Sequence, residues 1–315
     1  MNQRQLYITM FLLMALWLIL QRGAWLSPTT ETVSRSVQQP TTVYNGSKEQ
    51  QFNIHSVKVY SVGLALSGGG IKCLCHAGVL KAMEEDSIRP DVISGVSAGG
   101  VVAALYADGY SPDSIISLFK NVNYTDFFYL EIPRGGLLSL TGFKEFLNKV
   151  LHAKTFEELK MPLRIVATDF DNGRSVVFDK GSLVDALMAS CSVPVLFGPY
   201  KIDGVNYVDG GLPKNLPASV LRSDCRFLIG ASVGPMDTVY YNNRVSITDI
   251  ALRSYKFIFR SNANYDKGLC DLLIEPKGMA RFNGADIRHA QEIFDLGYQE
   301  AKKMLQERKV KKVSK

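Results

Sequence analysis

The sequence predicts an α/β domain of three layers, with helices on both faces of a mainly parallel central sheet. Three observations predict it. Short apolar runs alternate with runs of helical period from Val57 onward, the pattern of successive βαβ units. Two strand-to-helix junctions are glycine-rich, where backbone N–H groups can converge beyond the carboxyl end of a parallel strand. The chain has 315 residues and is 46% hydrophobic, which suits one large domain and is short for two independent enzymatic ones.

The elements follow in order. Leu6 to Leu20 is nearly all apolar, with Arg4 before it and Arg22 after it. The run is shorter than the roughly 20 residues of a comfortable spanning helix and fits a signal-peptide core as well as a short anchor. Trp25 and Leu26 interrupt the place where small residues would mark cleavage, so residues 1–26 are expected to be an uncleaved apolar anchor or signal-like segment. Membrane association through this segment is the expected localisation. A cytoplasmic globular domain is the first expectation and an exported one the alternative, because arginines flank both ends. Residues 27–56, rich in Ser, Thr and Gln, read as a flexible linker.

From there Val62–Leu66 reads as a strand, Ala77–Glu85 as a helix, Val92–Val96 as a strand and Gly99–Asp108 as a helix. Ser111-Pro112 is an N-cap followed by a first-turn proline. Phe143–Leu151 is helical and Leu163–Thr168 a strand, joined through the turn Asp171-Asn172-Gly173-Arg174 to a partner over Ser175–Phe178. Leu183–Ser192 is helical, Phe227–Ser232 and Leu272–Glu275 are strands, and Ile250–Phe259 and Ile287–Leu305 are amphipathic helices. The main globular domain is expected over residues 57–277, with a C-terminal helix and basic tail over 278–315.

Net charge is +6, and much of the excess lies between Lys302 and Lys315. That is too sparse for a nucleic-acid partner but suits an anionic membrane surface. The five cysteines, Cys73, Cys75, Cys191, Cys225 and Cys270, show no disulfide or zinc spacing. No calcium-loop pattern occurs either. No metal and no cofactor are therefore expected, and nothing here sets the oligomeric state.

Chemistry concentrates at three places. Gly95-Val96-Ser97-Ala98-Gly99 stands between a strand and a helix, the nucleophile-elbow pattern that projects a serine hydroxyl at a helix N-terminus. Ser67-Gly68-Gly69-Gly70-Ile71-Lys72-Cys73 follows the first strand. Such a loop can cradle a nucleotide phosphate or form an oxyanion hole. The first use lacks the Gly-Lys-Ser/Thr of a P-loop and an acidic residue ending the second strand. In a parallel sheet both loops leave the same edge, so glycine N–H groups and the serine would share a crevice. Asp209-Gly210-Gly211 is the third place, a weak turn signal by itself.

Together the three motifs resemble the patatin-like phospholipase family in its bacterial form, over about Val57 to Lys277. Ala189-Ser190-Cys191-Ser192-Val193-Pro194 also resembles the family's segment ahead of the aspartate. The resemblance implies a patatin-like α/β/α fold and a serine acyl hydrolase acting on lipid carboxylic esters, of phospholipase or lysophospholipase type. It implies a Ser–Asp dyad, with Ser97 as nucleophile and Asp209 as proton acceptor. Gly69 and Gly70 would stabilise the oxyanion, Gly68 would shape that loop, and the Ala98 N–H would be a further donor. Gly95, Gly99, Gly210 and Gly211 complete the motifs. Cys73 departs from the glycine usual at the end of the family's loop, which touches the fine geometry there.

Two other readings stand beside this one. A Ser–Asp–His triad is compatible with the order Ser97, Asp209, His289, although His289 lies on a polar helix face. A catalytically silent lipid-binding protein is the other. The aromatics of Tyr124–Leu130 suit an acyl channel or a bilayer interface, or simply core packing. A lipid acyl ester and a membrane surface are the expected partners.

Overall fold

A computed structural model describes residues 60–120, 127, 129–130, 138–234, 247–282, 284 and 287–313. The expected N-terminal segment and linker lie outside them, as do residues 124–126 and 128 of the aromatic stretch.

The described residues open with β1 (Tyr60–Leu66), a 3-10 turn (Gly70–Cys73) and α1 (Leu74–Glu85). Next come β2 (Val92–Val96), α2 (Ala98–Ala107) and α3 (Pro112–Lys120). A small antiparallel pair, β3 (Tyr129–Leu130) and β4 (Leu138–Ser139), leads to α4 (Thr141–Val150). The hairpin β5 (Leu163–Asp169) and β6 (Arg174–Phe178) precedes α5 (Leu183–Cys191). A second hairpin, β7 (Tyr200–Ile202) and β8 (Val205–Asp209), is followed by β9 (Cys225–Ala231), α6 (Ile247–Gly268), β10 (Leu272–Ile274) and α7 (Ala290–Val313). Local chemistry explains the helix starts: Ser111 Oγ accepts the Ser114 N–H at 3.1 Å, and Ser182 Oγ accepts that of Asp185 at 3.3 Å.

Among the described residues eight strands form one sheet, in the order β10-β9-β1-β2-β5-β8-β7 with β6 also paired to β5. The β10–β9, β9–β1, β1–β2 and β2–β5 pairings are parallel, and the β5–β6, β5–β8 and β7–β8 pairings are antiparallel. β1 shows the layering at single-residue resolution. Leu64 and Leu66 join one buried cluster with residues of α1, α2, α3 and α7, while Ala65 joins another with Leu216, Leu221 and Ala263. Helices cover the first face, and a thinner layer of α6 and the irregular stretch before β9 covers the second.

β5 is shared between two neighbours on one edge. β2 pairs with its first half, ending at Val96 opposite Val166. β8 takes over on its second half, with Asp209 opposite Ala167. Because β6 runs along the other edge of β5 over Ile165–Asp169, β2 and β8 must occupy the same side. The residue that follows Val96 and the residue that ends β8 therefore arrive at one height of the sheet.

The sequence expectations met the structure at most elements, with α1 and α6 starting earlier than expected and α7 running over Ala290–Val313 rather than Ile287–Leu305. α1 begins at Leu74 rather than Ala77, and α6 runs from Ile247 to Gly268 rather than over Ile250–Phe259. α7 docks on α1 so closely that a Cβ at Gly78 would lie 2.0 Å from the Phe294 carbonyl oxygen, and one at Gly297 2.1 Å from that of Cys75. No described helix is long and apolar enough to cross a membrane.

Candidate active site

Ser97 sits between β2 and α2 with φ 53° and ψ −137°, a conformation that non-glycine residues adopt rarely and mostly at functional turns. The flanking glycines are required by contact rather than by dihedral angle. A Cβ at Gly95 would lie 2.6 Å from Gly100 Cα, and one at Gly99 2.2 Å from the Ser67 carbonyl oxygen. The start of α2 is thus pressed against the end of β1. The Ser97 N–H donates to Ser190 Oγ at 2.7 Å, and Ser190 Oγ donates to the Val166 carbonyl at 2.6 Å. Buried Ser190 from α5 therefore bridges the serine's backbone to β5, where regular strand pairing has ended.

The glycine loop lies alongside. A Cβ at Gly68 would lie 3.2 Å from Ser97 Cβ, so this loop and the serine are in contact. The Gly68 N–H is engaged by the Asn215 carbonyl at 3.1 Å. Gly68 is thus tied into the loop, while the Gly69 and Gly70 N–H groups have no backbone acceptor among the described residues. Gly70 has φ 61°, and a Cβ there would meet the Gly284 carbonyl at 2.3 Å, so only glycine fits. Ala98 opens α2, where helix geometry leaves its N–H without an intrahelical acceptor. Cys73, the departure from the expected loop, is buried and donates its Sγ–H to the Ser67 carbonyl at 3.3 Å. His76 Nε2 meets the same oxygen at 2.9 Å.

Asp209 ends β8 with no exposure. Its N–H donates to the Ser192 carbonyl at 2.9 Å, and its carbonyl accepts Thr168 Oγ1 at 2.8 Å. Its Oδ1 accepts the Gly211 N–H at 2.6 Å. Among the described residues its buried Oδ2 meets no partner at full hydrogen-bond geometry, although the Ser97 hydroxyl approaches closely enough to lower the carboxyl pKa. Serine and aspartate thus adjoin without a fully aligned bond, as resting catalytic pairs often do. Burial dominates and pushes the Asp209 carboxyl up to about 6, with the Ser97 hydroxyl and the Gly211 N–H pulling it down. Gly210 packs against β5, where a Cβ would lie 2.1 Å from the Val166 carbonyl oxygen.

Asn215 is a neighbour that motif reading missed. It is buried, and its Oδ1 has no hydrogen-bond partner among the described residues. That oxygen lies 2.8 Å from where a Cβ of Gly68 would stand and 3.0 Å from one of Gly211, wedged between the glycine loop and the aspartate turn. The signal available was Asn215-Leu216-Pro217 trailing the Asp-Gly-Gly turn, too common a sequence to stand out. Cys191 also borders the site: its thiol is pushed up by burial and by the Asp209 charge, with the Ser97 hydroxyl opposing.

The described histidines have other partners. His76 is buried on Ser67, and burial lowers its pKa to about 4. His152 Nδ1 pairs with Asp108 at 3.0 Å and His289 Nδ1 with Glu292 at 3.1 Å. The described residues contain no cluster of His, Cys, Asp and Glu fit to hold a metal ion.

The family model described as patatin-like phospholipase matches residues 64–222, which holds the glycine loop, the serine turn and the aspartate turn. The chain belongs to the patatin-like phospholipase family. Relatives of this family member include the human patatin-like phospholipase domain-containing protein 6, 27% identical over 283 residues, or 77% of this chain and 20% of that protein. An uncharacterized NTE family protein of Mycobacterium tuberculosis is 28% identical, covering 64% of this chain and 58% of that one. The chain thus spans about three-fifths of the mycobacterial relative and a fifth of the human one. Among solved structures, VipD from Legionella pneumophila aligns with 79% of this chain and 67% of its own at a TM-score of 0.47 and 14% identity.

Proposed function

We propose that this family member is a lipid carboxylic-ester hydrolase of phospholipase or lysophospholipase type, working by a Ser97–Asp209 dyad. One observation carries the reading: the Asp209 carboxylate is fully buried, and the Ser97 hydroxyl stands close enough to lower its pKa. A carboxylate of ordinary pKa is a poor base for an alcohol. One lifted to about 6 is ionised at neutral pH and a better proton acceptor. In the proposed reaction Ser97 Oγ attacks the ester carbonyl and its proton passes to Asp209. The Gly69 and Gly70 N–H groups, with that of Ala98 beside them, hold the negative oxygen. The ester C–O bond breaks, the alcohol leaves with the proton from Asp209, and water then releases the acyl group with Asp209 again as base.

Asn215 and Ser190 are positioning residues in this scheme, one wedged between the two loops and the other fixing the serine's backbone. The apolar run Leu6–Leu20 is assigned as the tether to a membrane. Labelling by a fluorophosphonate probe tests the nucleophile: wild type should label and Ser97→Ala should not. Hydrolysis of diacyl phospholipid, lysophospholipid and neutral acylglycerol, compared between the same two proteins, tests the substrate class. Absence of both labelling and hydrolysis would favour the silent lipid-binding alternative.

A further inference from the structure

α6 is built with three faces, and the site uses only one. Its buried face grips the loop after Asp209. Asn262 Nδ2 donates to the Gly211 and Leu212 carbonyls at 2.8 and 2.7 Å, and its Oδ1 accepts the Asn215 N–H at 2.8 Å. Further along, Asp266 Oδ1 accepts the Ser219 N–H at 2.5 Å. Phe259 Cε1 reaches 3.2 Å from where a Cβ of Gly211 would stand.

The opposite face is apolar and open. Ile250, Phe257, Ile258 and Tyr265 recur at i, i+7, i+8 and i+15, one side of a helix, and are 55%, 55%, 45% and 71% exposed. Arg253 and Arg260 line one flank of that face, with Lys256 further round the helix. The Arg253 guanidinium lies over the Phe257 ring at 5.2 Å, while Lys256 and Arg260 are exposed. Between Ile250 and Tyr265 there is no acidic residue.

An apolar stripe bordered by cations is the pattern of a helix that lies in a membrane interface. We propose that α6 seats the protein on an anionic lipid surface. The choice of a bilayer over another apolar partner rests on the lipid-ester reading above, and the missing acids supply the charge complement. Because the helix is about 10–12 Å across, the surface it meets lies within one helix diameter of the loop that carries Gly211 and Asn215.

The test uses the full chain with Ser261→Cys, an exposed position on the same face, carrying an environment-sensitive fluorophore. The unsubstituted protein sets the labelling background. Vesicles of equal parts phosphatidylglycerol and phosphatidylcholine are compared with phosphatidylcholine alone, so any contribution of the Leu6–Leu20 run is present in both. A blue shift on the mixed vesicles is expected, absent on the neutral ones. Arg253→Gln with Arg260→Gln should shift the insertion equilibrium by roughly thirtyfold, at about 1 kcal/mol per cation. Ile258→Glu should abolish insertion.

All variants should hydrolyse a water-soluble short-chain ester at the wild-type rate, which also reports folding. No shift on mixed vesicles, or equal shifts on both kinds, overturns the proposal. So does a shift that grows with protein concentration without vesicles, which would mean a second copy covers the face. Insertion without hydrolysis of any ester would leave the docking helix standing and remove the hydrolase reading; hydrolysis without insertion would do the reverse.

Discussion

Asp209 is held in a state the fold disfavours. Its folded pKa is raised from 3.8 to about 6, so this group adds stability in full below its unfolded value, and the benefit is lost progressively as pH rises through about 6. At neutral pH the buried charge withholds about 3 kcal/mol. Asp209→Asn keeps an acceptor for the Gly211 N–H and removes the charge. It should raise stability by about 1–3 kcal/mol in a denaturant titration while lowering kcat by roughly 100-fold or more. For wild type, kcat/KM on a soluble ester should climb with pH through one ionisation near 6 and then level off. A profile still falling off at pH 5 in Asp209→Asn would assign that ionisation to another group. Ser190→Ala should leave the Ser97 N–H and the Val166 carbonyl without their bridge, which costs about 1–3 kcal/mol for each group left unpaired. It should depress kcat by roughly tenfold with KM little changed, read by a full kinetic split. Ser97, Asp209 and the glycine triplet were legible because their spacing is chemical. The bridging role of Ser190 and the wedge of Asn215 were not, because both depend on which strand ends where.

Between elements, close approach decides more than conformation. Gly99→Ala would drive a methyl into the Ser67 carbonyl at 2.2 Å, backbone against backbone, with no side chain to yield. It should destabilise the protein by more than about 3 kcal/mol, seen as a lowered melting temperature, and take activity with it. The parallel strands were visible as apolar runs, and the first hairpin as Asp-Asn-Gly. The second hairpin was not read, although its signal was present. Asp203 and Gly204 have φ 48° and 87° and connect Ile202 to Val205 directly, the two-residue turn that Asp-Gly favours. Its strands are short, three and five residues, and half-buried, so hydrophobic alternation was faint. The full length of α6 was hidden for a related reason: an outward apolar face blurs the period from which a buried face is recognised.

At the scale of the molecule, the C-terminal helix belongs to the core. Ile293, Phe294, Ala301 and Leu305 are buried against the body, and Glu85 meets Tyr298 and Lys302 at 2.7 Å each. Three large side chains at about 1.5–3 kcal/mol each amount to much of a typical domain's stability of roughly 5–15 kcal/mol. A chain ending before Ala290 should show no cooperative thermal transition, whereas removal of the last few lysines should change little. β5 carries a different kind of consequence. It behaves as a calliper whose jaws are two neighbouring strands, so the gap between the alcohol and the acid is gauged by a strand that contributes neither. One inserted residue between Val166 and Ala167 would slide the jaws apart by about 3.3 Å, parting the proposed dyad while every side chain of the site was still present.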